Sequence, residues 1–161
     1  MPTALQPIRL VAYAPAHRAA FRDLNLEWIT AHFEVEDEDL RVLNDPEGEI
    51  LAPGGAILLA LDGDTPVGTG ALIPTGPHEF ELVKMAVTER ARGRGIGRAL
   101  CVALVALARE RGAHQVELHS QTTLAPAVSL YRSLGFEEVP LGTTLYKRAN
   151  IHMVLRLRAG G

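Results

Sequence analysis

The sequence predicts a single α+β domain: a mixed, mostly antiparallel twisted sheet of about seven strands flanked by about four helices. Three observations carry this. Apolar runs at 56–61, 67–73 and 78–87 follow one another through the short turns Asp62-Gly63-Asp64 and Pro74 to Pro77, as an antiparallel meander does. The third run breaks at a turn rich in glycine and arginine, restarts as a helical pattern, and is followed by another extended run around Val116, the order of a crossover connection. No repeat, low-complexity tract or linker interrupts the 161 residues, so residues 1–161 read as one domain, long enough to bury a core without staples.

The elements follow in order. Ile8, Leu10 and Ala12 alternate with Arg9, Val11 and Tyr13 as a first strand. Pro15 suits the first turn of a helix, and Phe21, Leu24, Trp28 and Ile29 continue it at helical spacing to about residue 31. An acidic, less regular patch from His32 to Asp39 leads into a short helix over Leu40, Val42 and Leu43. The loop Pro53-Gly54-Gly55 closes the segment. After the meander, Ile96, Leu100, Leu104 and Leu107 set one stripe along a helix that Gly112 terminates. Val116 and Leu118 flank Glu117 in a strand, 126–134 is a fourth helix closed by Gly135, and 136–139 starts a strand. The last strand alternates Ile151, Met153, Leu155 and Leu157 with His152, Val154, Arg156 and Arg158.

Composition narrows the function. A formal charge of -3 leaves no basic excess, which argues against a dedicated nucleic-acid binder. No apolar stretch reaches the roughly 18 residues a spanning helix needs, and the start lacks a signal pattern, so neither a membrane partner nor export is expected. Cys101 is the only cysteine and sits in a helical pattern, where it reads as a small buried apolar residue. The expected compartment is the reducing cytoplasm. Six histidines without close ligand spacing predict no metal site.

The strand-to-helix junction from Glu81 to Leu100 is the most informative stretch. Glycines 93, 95 and 97 let the backbone turn sharply and leave amide N–H groups uncovered, while the following helix directs its positive dipole end at the same place. Arg90, Arg92, Arg94 and Arg98 add charge there, although arginines on a turn also serve solubility alone. A dinucleotide fingerprint needs glycine where Arg98 stands, and no Gly-Lys-Ser/Thr ending makes a nucleotide P-loop. Both readings fall.

What remains, Arg92-Gly93-Arg94-Gly95-Ile96-Gly97, resembles the Q/R-x-x-G-x-G/A signature of the GNAT superfamily of acetyl-coenzyme A-dependent N-acetyltransferases. About thirty residues later, Ala127 to Phe136 is similar to the family's A-x-x-L-Y-x-x-x-G-F motif, with Leu130, Tyr131, Gly135 and Phe136 in place. The two motifs span residues from about 81 to 136. The resemblance implies an acyltransferase using acetyl-coenzyme A as cosubstrate. The amides from Arg92 through Gly93, Arg94, Gly95, Ile96, Gly97 and Arg98 would hold the pyrophosphate, and Met85, Ala86 and Val87 would align the pantetheine arm along free backbone. Leu124 stands where many members carry an asparagine for that arm, with Gln121 or backbone alone as substitutes.

Acetyl transfer to an amine needs a neutral nucleophile, stabilisation of charge on the carbonyl oxygen and a thiolate that can leave. Glu81 is the candidate base: period-2 alternation places it on one face with Val83, Met85 and Val87, opposite Leu82 and Lys84. Free glutamate has a pKa of about 4.3, so base chemistry near neutrality needs burial or a water relay. The plain alternative is a solvated strand residue or a partner for Lys84. Tyr131 is the candidate acid, since a phenol of pKa about 10 stays protonated at neutral pH; otherwise it is a core tyrosine packed with Val128 and Leu134. His32 and His119 come into view as proton shuttles, but a lone histidine at a strand end is more often structural, and His119 receives no role.

The acceptor is expected to be a primary amine of a small molecule or peptide, selected by residues 28–39 and 143–152. Glu34, Glu36, Asp37, Glu38 and Asp39 favour a cation, whereas Tyr146, Lys147 and Arg148 favour a carboxylate, so the two segments point in opposite directions. A non-catalytic acetyl-coenzyme A sensor and a protein-interaction module using Trp28 and the acids stay open. The final strand can complete one sheet or pair across a homodimer, and the resemblance points to the dimer.

Overall fold

In the computed structural model, which describes residues 7–144 and 146–157, the extended patterns form β1 (Ile8–Ala12), β2 (Ala56–Asp62), β3 (Thr65–Gly76), β4 (Glu79–Val87), β5 (Gln115–Ser120), β6 (Glu137–Val139) and β7 (Ile151–Arg156). The helical patterns form α1 (Arg18–His32), α2 (Asp37–Leu43), α3 (Ile96–Glu110) and α4 (Ala125–Ser133). Arg158, expected in the last strand, and Leu145, within the expected acceptor segment, lie outside the described residues.

The strands make one sheet in the order β1-β2-β3-β4-β5-β7-β6. Every pair is antiparallel except β4 and β5, which α3 joins as a crossover. One face is covered by α1 and α2, whose Phe21, Leu24, Ile29, Val42 and Leu43 pack with Ile57, Leu59, Ala71 and Ala86 of the sheet. On the other face α3 sets Cys101, Leu104, Val105 and Ala108 against Leu72, Phe80, Leu82, Leu118 and Met153. The buried stripe of α3 thus runs through Cys101 and Leu104, and Leu107 lies at its edge. Cys101 is fully enclosed, and burial pushes its thiol up to about 11, which leaves it inert toward thiolate chemistry.

The acidic patch contributes more helix than expected. Asp39 Oδ2 accepts the Glu36 backbone N–H at 2.8 Å, and three acids occupy the first turn, where the helix dipole favours them, so α2 starts at Asp37 rather than Leu40. A single π-type turn, with Ala52 N–H donating to the Glu47 carbonyl at 2.8 Å, fills the stretch before the glycine loop.

Candidate active site

Two departures from a regular sheet open a cleft at its centre. First, β4 and β5 pair only from Glu79–Gln115 to Glu81–Glu117, and beyond that point the edge of β4 facing β5 has no strand partner. Second, β4 bulges. Val83 pairs with Ala71 and Ala86 with Thr69, so Lys84 and Met85 together oppose Gly70, and Lys84 takes the left-handed φ of 56°. The extra residue reverses the alternation. Glu81 and Val83 keep to the α1 side, but Met85 and Val87 join Phe80 and Leu82 on the α3 side. The expectation that Glu81, Val83, Met85 and Val87 share one face is corrected here: a period of 2 holds only where no residue is inserted. Gly70 permits the arrangement, because a β-carbon there would sit 2.3 Å from Met85 Sδ.

Asn25, Trp28 and Ile29 of α1 wall the cleft on one side, Leu124, Ala127 and Tyr131 on another, with Glu81, Met85 and His119 between. Glu81 Oε2 lies 3.1 Å from His119 Nδ1. That hydrogen bond holds the imidazole above its ordinary pKa, outweighing burial, which acts in the opposite direction. Tyr131 packs edge-on against Phe136 at 5.8 Å, and its hydroxyl makes no hydrogen bond to a described residue. Burial pushes the phenol well above its usual range, so it stays a donor at any physiological pH.

The glycine turn adjoins this cleft. Gly93 and Gly95 have φ of 82° and 74°, and a β-carbon on either would meet no protein atom within 4 Å, so the space over them is open. The backbone N–H groups of Gly93, Gly95, Ile96, Gly97 and Arg98 donate to no described residue, and they cluster where α3 begins. A β-carbon on Gly97 would stand 4.0 Å from the Leu130 and Val87 side chains, which puts the turn between the end of β4 and α4. The arginines do less there than expected. Arg94 pairs with Asp62 at 2.8 Å, Arg98 donates to Ser133 Oγ at 3.1 Å and so ties α3 to α4, and Arg90 lines a separate groove with Glu27 and Thr88. Gly95→Ala is expected to cost about 1–2 kcal/mol of stability through its backbone conformation alone, read as a fall in thermal midpoint, and to weaken coenzyme A binding by calorimetry.

Gln121 is committed elsewhere: it donates to the Arg148 carbonyl at 2.8 Å and accepts from the Thr123 N–H at 3.3 Å. Leu124 lines the cleft as an apolar residue just before α4.

The two segments expected to select the acceptor meet each other. Asp39, fully buried, takes both guanidinium nitrogens of Arg148 at 2.8 and 2.7 Å and the Lys84 ammonium at 2.8 Å. Lys84 also donates to Tyr146 Oη at 2.9 Å, Arg148 reaches Glu36 at 3.3 Å, and the Lys147 N–H donates to Glu36 at 2.9 Å. Burial alone would raise the Asp39 carboxyl, but the hydrogen bonds from Arg148 and Lys84 hold it well below the usual carboxylate range. The opposed charges of the two segments therefore neutralise one another in a network that closes the cleft. Lys84 is spoken for by Asp39 and Tyr146 and does not pair with Glu81.

The acetyltransferase (GNAT) family profile matches residues 18–136, about three quarters of the chain. The chain belongs to the GNAT acetyltransferase family. Among curated relatives, it is 39% identical over 94 residues to a mycothiol acetyltransferase of Arthrobacter sp. (strain FB24), covering 57% of this chain but 28% of that one. It is 32% identical over 108 residues to the N-acetyltransferase YvbK of Bacillus subtilis (strain 168), covering 64% of this chain and 70% of that one. The chain thus spans less than a third of the first of these relatives. In fold it is similar to an acetyltransferase of the GNAT family from Staphylococcus aureus Mu50, with a TM-score of 0.85 at 21% identity over 94% of this chain and 100% of that one. It is also similar to the PaiA N-acetyltransferase of Thermoplasma acidophilum in complex with coenzyme A, with a TM-score of 0.75 at 14% identity over 94% and 100%. The open, mixed sheet of seven strands is the fold of this GNAT domain and its structural neighbours.

Sequence reasoning missed the tertiary partners. His119 received no role, yet it bonds to Glu81; Asp39, Lys84 and the pair Tyr146 and Arg148 come from three separate segments. The one available signal was the pair Glu117 and His119, two residues apart on one strand face beside Glu81. Among the described residues no helix is long and apolar enough to cross a membrane.

Proposed function

We propose that this GNAT chain moves the acetyl group of acetyl-coenzyme A to a primary amine of a small molecule or peptide, using Glu81 as base and Tyr131 as acid. The observation that carries it is convergence: Glu81 with His119, and Tyr131, line one cleft, and the turn whose Gly93, Gly95, Ile96, Gly97 and Arg98 amides donate to no described residue lies at the end of β4, the strand that carries Glu81. The coenzyme A held by the PaiA relative supports the cosubstrate, and the names of the curated relatives support acetyl transfer.

The thioester supplies the activated acyl group. The amides of Gly93, Gly95, Ile96, Gly97 and Arg98 bind the pyrophosphate, the edge of β4 left without a strand partner after Glu81 receives the pantetheine arm, and apolar Met85 and Leu124 flank it. Leu124 has no polar group to offer that arm, so the contact rests on backbone. Glu81 accepts the proton of the incoming ammonium, with His119 holding the carboxylate in place. The freed nitrogen lone pair forms the new C–N bond, the C–S bond breaks as Tyr131 gives its phenolic proton to the departing sulfur, and the second proton that the acylated nitrogen sheds passes through solvent to restore the phenol. The acceptor enters beside Trp28, Phe33 and Tyr146, aromatic surfaces that suit an apolar amine stem.

Free-thiol release from acetyl-coenzyme A against a panel of amines, amino acids, peptides and aminoglycosides tests the reading. Turnover with at least one amine is expected. Saturating coenzyme A is expected to raise the thermal midpoint by about 5–10 °C at 100 times its Kd, and no shift at all would count against any acetyl-coenzyme A role. Glu81→Gln is expected to lower kcat by about 10²–10³-fold with coenzyme A affinity retained; full activity in that variant would move the base elsewhere.

A further inference from the structure

Beside Glu81 lies a cluster of which the proposed acetyl transfer uses His119 alone. Alternation along β5 puts Glu117 and His119 on the same face, opposite buried Val116 and Leu118, and the β5–β7 register sets His152 directly across from His119. One donor atom from each of Glu117, His119 and His152 lies within 4.8 Å of the other two. His152 Nε2 is 3.7 Å from Glu117 Oε1, and it is the buried side-chain polar atom left without a hydrogen-bond partner among the described residues. We propose that Glu117, His119 and His152 form a binding site for a borderline divalent transition-metal cation, Zn²⁺ being the best match.

The donor chemistry selects the ion. Two imidazole nitrogens and one carboxylate oxygen suit Zn²⁺, Ni²⁺ or Cu²⁺, whereas Mg²⁺ and Ca²⁺ prefer oxygen shells. Bonds of about 2.0–2.2 Å in a tetrahedron separate donor atoms by about 3.4 Å. The 3.7 Å gap already approaches this, and the remaining donor closes by rotation of the stacked rings, now 4.3 Å apart and 16° from parallel. Glu81 completes the environment. Bound to His119 Nδ1, it leaves Nε2 of that ring for the ion and orients it, as a carboxylate behind a metal-ligating histidine does. A fourth position stays open for water. The orphaned His152 Nε2 gains a partner that the protein does not otherwise give it.

Close pairing of histidines is not sufficient. His78 and His114 also stack, at 4.4 Å and 20°, but both are exposed and no carboxylate joins them in a ligating group. The sequence expectation of no metal rested on spacing, and a cross-strand pair separated by 32 intervening positions has none to read.

The test is equilibrium dialysis of the chelator-treated full chain against Zn²⁺, with Co²⁺ absorption as the reporter of geometry and Mg²⁺ as the comparison. One Zn²⁺ per chain is expected with a Kd below about 10 μM, together with a rise in thermal midpoint and Co²⁺ bands of a four-coordinate N/O site. His152→Gln and Glu117→Gln should each weaken binding at least tenfold, and His114→Ala should leave it unchanged. Absence of saturable Zn²⁺ binding by the unmodified chain overturns the proposal without any variant having to fold. Undiminished affinity in His152→Gln, or binding lost in His114→Ala, overturns it equally. If Glu81 and His119 act in transfer as proposed above, bound Zn²⁺ also lowers kcat; this arm rests on that reading, while the dialysis does not.

Discussion

Tyr131→Phe is expected to lower kcat for acetyl transfer by about 10²–10⁴-fold, the range for loss of a positioned acid, while leaving coenzyme A affinity and the fold intact. The separation follows from where the hydroxyl sits. The ring packs into the core beside Phe136, and phenylalanine retains that packing. The hydroxyl bonds to no described residue, so its removal strands no buried partner and the thermal midpoint moves little. Burial raises the phenol pKa, which keeps the proton on the hydroxyl at neutral pH, so that it is present as a donor when the sulfur departs. Thiol release at saturating substrate, with calorimetric coenzyme A binding beside it, reads the two quantities separately. Unchanged acetylation of a true acceptor would remove Tyr131 from the mechanism. Binding of coenzyme A with no turnover by the unmodified chain on any amine would favour the sensor reading.

Asp39→Asn is expected to be the most destabilising polar substitution, at about 3–5 kcal/mol, because it breaks a buried ion cluster from the side that leaves charge uncompensated. Asp39 is the shared partner of Lys84 and Arg148, and Lys84 is itself almost wholly enclosed. The pH dependence has a definite sign. The folded pKa of Asp39 lies below its unfolded value, so its contribution is fully present above about pH 4 and is lost as pH falls through the folded pKa. In the variant this acid-labile part is absent. Burial lowers the Lys84 pKa already, and loss of Asp39 lowers it further, so the variant's stability rises with pH toward about 10 as Lys84 sheds its proton. Urea unfolding at pH 3, 5, 7 and 9 measures all of this; a midpoint in the variant equal to that of the parent at pH 7 would show the cluster to be energetically idle. The same cluster closes the cleft, so an acceptor-dependent rise in KM is expected at permissive temperature.

Much of this protein was legible residue by residue. The meander, the crossover helix and the glycine turn are local patterns, set by periods of 2 and 3.6 and by residues that permit or forbid particular backbone angles. The turn from Gly93 to Gly97 and the helix that carries Tyr131 were legible because both are contiguous in the chain, and Tyr131 itself was singled out by the resemblance to the GNAT motif. The face of Met85 and Val87 was misassigned for an equally local reason: one inserted residue, Lys84, at φ 56° opposite Gly70, breaks the alternation, and nothing in that run announces a bulge. The charges of 34–39 and 146–148 were legible as charges but not as partners, since salt bridges between residues 109 positions apart leave no periodicity.

The sequence by itself determined the mixed sheet, the crossover through α3 and the glycine turn at the start of that helix, because these follow from hydrophobic period and turn chemistry. Only the tertiary structure decided what surrounds Glu81. Strand register brought His119 to it and His152 behind that, and helix packing drove Asp39 onto Lys84 and Arg148. Such contacts depend on distances between elements far apart along the chain, and those distances are fixed by packing rather than by any local pattern.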